Sequence, residues 1–329
     1  RQDCYWGGSS ITCWMSKEQL AKLESGKNYL ENYAALVGEK SSQQYTKEME
    51  EYNCAYQHWL KSTEEVKQKD PQASWKEIHK ICGECPWPQP VGWQSPFRPN
   101  GLHETMIRRI APYSLRGFLY YQGEEDVQRY ADYSDMMQML VKQWRMDWND
   151  WNLPFLFVQL PMYLADGEKD DSYWALQREQ QYIASMMIQN AGMISLADCG
   201  EYDNIHPLDK KTPGERLFQL AKNLVYDKQG TITATAAQLF SDNGKLYVTF
   251  DHLHEKLVMQ TANGCPFEIS GEDNLFYPAK ADVIHGNMLC ISNPAVKFPS
   301  AVKYAWYNFG EAALFTESGN PVSPFFKCV

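Results

Sequence analysis

The sequence predicts an α/β fold followed by a β-rich C-terminal module, and three observations lead there. Between residues 101 and 228, short apolar runs alternate with stretches whose apolar residues recur at helical spacing. After about Gln229 the helical spacing ends. From there short alternating runs are separated by Gly, Asn and Pro. Strands alternating with helices imply a parallel sheet sandwiched between helices. The later pattern implies a β-sandwich-like module over 229–329.

In chain order, residues 1–12 read as a buried strand entering the turn Trp6-Gly7-Gly8-Ser9-Ser10. Residues 16–80 change character: Lys, Glu, Gln and Tyr dominate, while Tyr29, Leu30, Tyr33, Leu36, Tyr52, Tyr56, Trp59 and Leu60 keep helical spacing. A helical insertion over about 16–90 follows, closed by Pro86-Trp87-Pro88-Gln89-Pro90, because proline cannot continue a helix. Helices are expected at 102–110, 127–148, 174–189 and 213–225, and apolar strands at 117–121, 154–160 and 193–196. In the C-terminal module, strands are expected at 230–234, 245–250, 257–260, 288–291 and 302–306. Asn263-Gly264, Ser270-Gly271 and Gly286-Asn287 are its turn signals. The domain reading is therefore 1–228 and 229–329.

A chain of 329 residues with 44% hydrophobic and 14% aromatic content can bury a large core. Its net charge of -10 argues against nucleic acid, which wants basic grooves. No apolar run has the length that spans a bilayer, so no membrane partner is expected. The nine cysteines are odd in number and scattered, unlike a small disulfide scaffold. Cys82-Gly83-Glu84-Cys85 is half of a zinc-ribbon pattern with no second half, and a tetrahedral site needs four ligands. No metal and no cofactor are expected.

The most informative stretch is Asp203-Asn204-Ile205-His206-Pro207-Leu208. An Asp three positions before a His, on a turn fixed by proline, can hold one imidazole nitrogen and leave the other to accept a proton from a serine. His206 is the candidate base and Asp203 its orienter. Catalytic loops of parallel sheets gather at the carboxyl ends of the strands. Gln122 follows directly after one expected strand and Asp203 lies in the loop after another, so the two loops can meet. Gln122 is a candidate amide donor to an oxyanion, and the backbone N–H of Gly7 a second. Glu124 is a structural or supporting carboxylate.

The blocks WGGSSI, GLHETMI, GFLYYQGEED, PFLFVQLP, WALQREQQ, DNIHP, VKYAWYN and NPVSPFF occur in that order. Together they resemble the sialate O-acetylesterase group of SGNH hydrolases over nearly all the chain except the helical insertion. The resemblance implies a flavodoxin-like three-layer sheet using Ser–His–Asp chemistry, with His206 and Asp203 matching the DxxH block. It assigns Gln122 and Gly7 to the oxyanion hole. It also implies an extracytoplasmic compartment: secreted, periplasmic or lysosomal.

One departure matters. The family's nucleophile lies in a GQSN-type motif upstream of the Gly-Gly block, and no such motif occurs here. Ser9 and Ser10, within that block, read as structural. The nucleophilic serine is expected upstream of Arg1, with the first strand of the sheet, on a segment cleaved into a separate associated polypeptide, lost, or outside this chain. The chain opens Arg1-Gln2-Asp3-Cys4 without an initiator Met, so a missing signal peptide says little about compartment.

The expected function is removal of O-acetyl groups from sialic acid or a related sugar. An acetylxylan esterase is the alternative within the enzyme class. A non-catalytic carbohydrate-binding protein is the alternative should the nucleophile be truly absent. Trp6, Trp14 and Trp87 are candidate sugar-stacking rings. Arg108, Arg109 and Arg129 are candidate partners for an anionic sugar.

Overall fold

A computed structural model describes residues 3–38 and 40–329, which divide into two compact units. The first runs to Tyr113 and includes Lys142–Asp150; the second comprises Ser114–Val141 and Trp151–Val329.

The first unit is helical. It contains α1 (Lys17–Leu20), α2 (Glu24–Val37), α3 (Ser42–Lys69), α4 (Trp75–Cys82) and the short α5 (Arg108–Ile110), which follows a π-turn at His103–Ile107. Serine caps set the starts of α3 and α4. Ser41 accepts the Gln44 N–H, and Ser74 with Glu77 forms a reciprocal capping box. The aromatic spacing of residues 52–59 becomes a ladder of stacked rings. Tyr52, Tyr56 and Trp59 follow one another along α3, and Trp59 lies 6.2 Å from Trp75 of α4 at an interplanar angle of 5°.

The strand expected over 1–12 is not formed in the described part of that stretch, residues 3–12. Tyr5 is 81% exposed, and the chain turns at Gly7-Gly8 into a 3-10 helix at Ile11–Trp14 capped by Ser10. The unit holds no other strand among its described residues, so an extended segment there would have no ladder for its backbone groups.

The second unit begins with three parallel strands in the order β1 (Phe118–Tyr120), β2 (Phe155–Gln159) and β3 (Ala191–Ser195). Central β2 is buried at every residue, as a parallel strand covered on both faces must be. Between β1 and β2 run a 3-10 helix (Glu124–Asp132), kinked at Arg129, and α6 (Tyr133–Asp147), which together occupy the single helix expected at 127–148. Side chains alternate across β2. Leu156 and Val158 pack with Ile194, Leu196 and Leu220, the last from α8 (Lys211–Leu224). On the opposite face, Gln159 donates to the carbonyl of Arg178, and Gln181 accepts the Leu160 N–H; both partners lie on α7 (Tyr173–Met187). Helix, sheet and helix make three layers.

The later part of this unit is antiparallel. One sheet has the order β4 (Thr235–Asp242), β5 (Lys245–Asp251), β10 (Met288–Ser292), β9 (Lys280–Ile284). A second has the order β13 (Phe325–Cys328), β11 (Ala301–Tyr304), β7 (Phe267–Ser270), β8 (Tyr277–Pro278). The pair β12 (Leu314–Thr316) and β6 (Leu257–Met259) completes it. Val248, Leu289, Ile291, Ile269, Val302 and Tyr304 form its core. Asn308, in the VKYAWYN block, ties this module to the parallel-sheet part: its amide accepts the Trp174 N–H and donates to Asp171, while its backbone N–H donates to Asp170.

Tyr304 is buried and its hydroxyl accepts the backbone N–H groups of Ala313 (3.1 Å) and Leu314 (2.8 Å). Tyr304→Phe leaves two buried donors unmatched and is expected to cost about 1–3 kcal/mol, read as a lower urea midpoint at unchanged slope.

None of the nine cysteines is joined in a disulfide. Among the described residues no cluster of three or more His, Cys, Asp or Glu is arranged to hold a metal ion, and no helix is long and apolar enough to cross a membrane.

Candidate active site

The site is built at the carboxyl ends of β1 and β3. Beyond β1 the chain runs through Tyr121-Gln122-Gly123-Glu124. Gly123 has φ +148, a conformation that side chains resist, and a Cβ there would stand 3.0 Å from the Gln181 amide nitrogen. Glycine lets the chain pass α7 closely and turn at once into the 3-10 helix.

This turn buries Gln122 in a polar network. Its Oε1 accepts from the hydroxyls of Tyr120 (3.1 Å) and Tyr133 (2.9 Å), and its Nε2 donates to Asp126 Oδ2 at 2.6 Å. The Gln122 carbonyl accepts from Tyr133 (3.1 Å) and Gln181 (3.2 Å). Burial first, and then neighbouring acids including Asp126, push both phenols well above their ordinary pKa, so they stay protonated as donors. Glu124 opens the 3-10 helix half-buried. Desolvation raises its pKa, opposed by its own backbone N–H and by the Lys210 ammonium.

Beyond β3 a loop carries the DxxH block. Arg216 of α8 grips Asp198 with two bonds of 2.6 and 2.7 Å and also donates to the Ser195 carbonyl. Glu201 then closes the turn: its two oxygens accept the Asn204 side-chain amide and the Leu208 N–H, each at 2.6 Å. Asn204 in turn accepts the His206 N–H at 3.1 Å. Sequence reading missed Glu201, since spacing does not show which acid in a loop faces inward.

The His206 ring reaches solvent. Partial burial, and secondarily Lys210, hold its pKa below the ordinary histidine value. Asp203 has a left-handed φ of 57. Its N–H donates to the Leu164 carbonyl, and its carboxylate accepts the Asp166 N–H at 2.9 Å. Asp203 and His206 therefore share one turn without a hydrogen bond between carboxylate and ring. Among the described residues no hydroxyl donates to that ring. The serine expected upstream of Arg1 lies outside the described residues. The loops from β1 and β3 do meet: the Lys210 ammonium lies 6.0 Å from the centre of the Tyr121 ring and acts on both Glu124 and His206.

Gly7 lies in the first unit, exposed on its turn. Next to it, a Cβ on Gly8 would strike the Trp87 ring at 2.5 Å. Ser9 and Ser10 serve local structure: Ser9 donates to the Trp6 carbonyl and accepts the Trp14 indole N–H, and Ser10 caps the 3-10 helix. Trp6 and Trp87 are 45% and 48% exposed, but Trp14 is 5% exposed and is a core residue, which removes it from the candidate sugar-stacking rings. Arg108, Arg109 and Arg129 are exposed, and Arg129 donates to the Glu125 carbonyl. The first unit also contains a histidine–carboxylate bond with no sequence signal: buried His103 Nε2 lies 2.8 Å from Asp147 Oδ2 across 44 positions.

A family model described as carbohydrate esterase, sialic acid-specific acetylesterase, matches residues 90–222. The sialate O-acetylesterase of Mus musculus is 26% identical over 260 residues, covering 70% of this chain and 47% of that protein. The Homo sapiens counterpart is 25% identical over 208 residues, covering 57% of this chain and 39% of that protein. A crystal structure of a carbohydrate acetylesterase from Xanthomonas citri superposes with a TM-score of 0.64 at 32% identity, covering 69% of this chain and 53% of that one. The chain thus spans about half the length of the relatives it matches, from 39% to 53% in these three comparisons.

Proposed function

We propose that this chain, which belongs to the sialic acid-specific acetylesterase family of carbohydrate esterases, forms the base and oxyanion side of a serine esterase that removes O-acetyl groups from a sugar. The observation that carries the reading is the meeting of two loops at the strand ends, one holding an oriented Gln122 amide and the other the His206 turn, with the Lys210 ammonium 6.0 Å from the Tyr121 ring. O-Acetylated sialic acid is the proposed substrate, after the names of the relatives, and an extracytoplasmic compartment is proposed on the same ground.

In this reading a serine from upstream of Arg1 attacks the acetyl carbonyl. His206 takes the serine proton as the oxygen–carbon bond forms. The Gln122 amide stabilises the oxyanion. Collapse breaks the bond to the sugar, whose oxygen receives the proton from His206. Water, deprotonated by His206, then attacks the acyl-serine, and acetate leaves as His206 returns the proton to the serine oxygen. Asp203 joins this cycle by exchanging the Asp166 N–H for the imidazole N–H, and Glu124 supports the base electrostatically. Acetate release from O-acetylated sialic acid and from acetylxylan, using the full-length natural polypeptide, tests the reading. Faster release from acetylxylan would transfer the assignment to that substrate. No release from either, nor from p-nitrophenyl acetate, would leave a sugar-binding protein.

Lys210 supplies a pH test. A general base acts only when neutral, so kcat/KM falls as pH drops through the His206 pKa. Burial is the first cause of its depression and Lys210 the second. Lys210→Ala is expected to raise the pKa toward the ordinary value of about 6.5 and move the acidic limb of the kcat/KM profile to higher pH. An unmoved limb, or one moved to lower pH, would contradict the assignment of His206 as base.

A further inference from the structure

We propose that Asp126 is a positioning residue that dictates which end of the Gln122 amide faces the reacting carbonyl; the inference rests on Gln122 being the oxyanion donor. A glutamine amide is nearly symmetric in shape, and turning it by half a revolution exchanges an acceptor for a donor. A site that needs the NH₂ must therefore select an orientation electrostatically, because sterics do not.

Tyr120, Tyr133 and Asp126, which grip this amide, are not equivalent in that respect. The hydroxyls of Tyr120 and Tyr133 donate to Oε1 here, but a phenol oxygen can also accept, so both tolerate either orientation. The Asp126 carboxylate only accepts. At 2.6 Å it takes an Nε2 hydrogen, and a reversed amide would set Oε1 against it, lone pair to lone pair. Asp126 is 1% exposed, so water does not soften that repulsion. It sits in the first turn of the Glu124–Asp132 helix, four residues beyond Gln122 across the turn that Gly123 permits.

The Gln122 backbone is held independently by Tyr133 and Gln181 through its carbonyl, so what Asp126 governs is the side-chain amide. A negative charge this close opposes a neighbouring oxyanion. Orientation is what the carboxylate supplies in return.

The test is a double-mutant cycle in the full-length natural protein, with kcat, KM and thermal midpoint recorded for Gln122→Ala, Asp126→Asn and the double variant. Gln122→Ala is expected to lower kcat about a hundredfold or more. Asp126→Asn keeps the shape and removes the one-way acceptor. It is expected to lower kcat roughly tenfold, with KM nearly unchanged, through mixed orientation and a displaced donor. In the Gln122→Ala background it is expected to cause no further loss of kcat, because the amide it orients is gone. Losses that multiply, or an Asp126→Asn variant with normal kcat and a lowered thermal midpoint, would overturn the inference alone. A Gln122→Ala variant with normal kcat would overturn the oxyanion reading and this inference with it. Should Asp126→Asn fail to fold, Asp126→Ser takes its place in the cycle.

Discussion

His206→Ala is expected to lower kcat/KM for acetyl-ester hydrolysis by about 10³–10⁴-fold or more, with thermal stability nearly unchanged. The two halves of this expectation come from different observations. The ring makes no hydrogen bond among the described residues and reaches solvent, so little packing is lost with it. The loop keeps its shape without the imidazole, since Glu201 and Asn204 close the turn and only the His206 backbone takes part. The chemistry has no comparable substitute. Burial raises the pKa of Glu124, but a carboxylate starts about two units below an imidazole and is by nature the weaker base. Turnover of p-nitrophenyl acetate alongside a melting curve checks both halves. Equal turnover in variant and natural protein would remove His206 from the mechanism, and a collapsed melting curve would show the ring to be structural.

The parts of the site that were legible in the sequence are those fixed by local periodicity. Gln122 could be placed because the residues before it read as a buried strand, and a polar residue just past such a strand must emerge at the sheet's carboxyl edge. The DxxH loop could be placed for the same reason after β3. What periodicity does not encode is where a side chain points once the backbone has turned. Asp203 and His206 have the spacing of an orienter and a base, but the left-handed φ of Asp203 sends its carboxylate to the Asp166 amide. Asp126 and Tyr133 come to Gln122 from the following helices, and nothing in their own spacing marks them. The segment at 3–10 misled for a related reason: Tyr5-Trp6 is apolar enough for a strand, yet a strand needs a neighbour, and sequence composition does not show whether one is there.

Gly200→Ala is expected to cost about 3 kcal/mol of folding stability and most of the esterase turnover together. A Cβ at this position would lie 2.0 Å from the Met162 carbonyl oxygen, 2.6 Å from its nitrogen and 2.7 Å from its carbonyl carbon. Every obstacle is backbone, so no side chain can rotate aside. Inserting a methyl into packed structure ordinarily costs about 1–3 kcal/mol, and rigid neighbours place this case at the upper end or beyond it. The direction of the forced movement follows from the anchors. Upstream, the Arg216–Asp198 pair and the bond from Arg216 to Ser195 fasten the loop to α8. Downstream lie the Glu201 clamp and the Asp203 N–H bond to Leu164, with His206 just beyond. Displacement at Gly200 therefore passes into the turn that carries the base, and an error of about 1 Å there is enough to cost about 10²-fold in rate. Urea unfolding and kcat/KM measured on one preparation separate the steps. Unchanged stability would mean that the chain after β2 yields to the methyl group. Lost stability with normal kcat/KM in the folded fraction would mean that the His206 turn is held independently of Gly200.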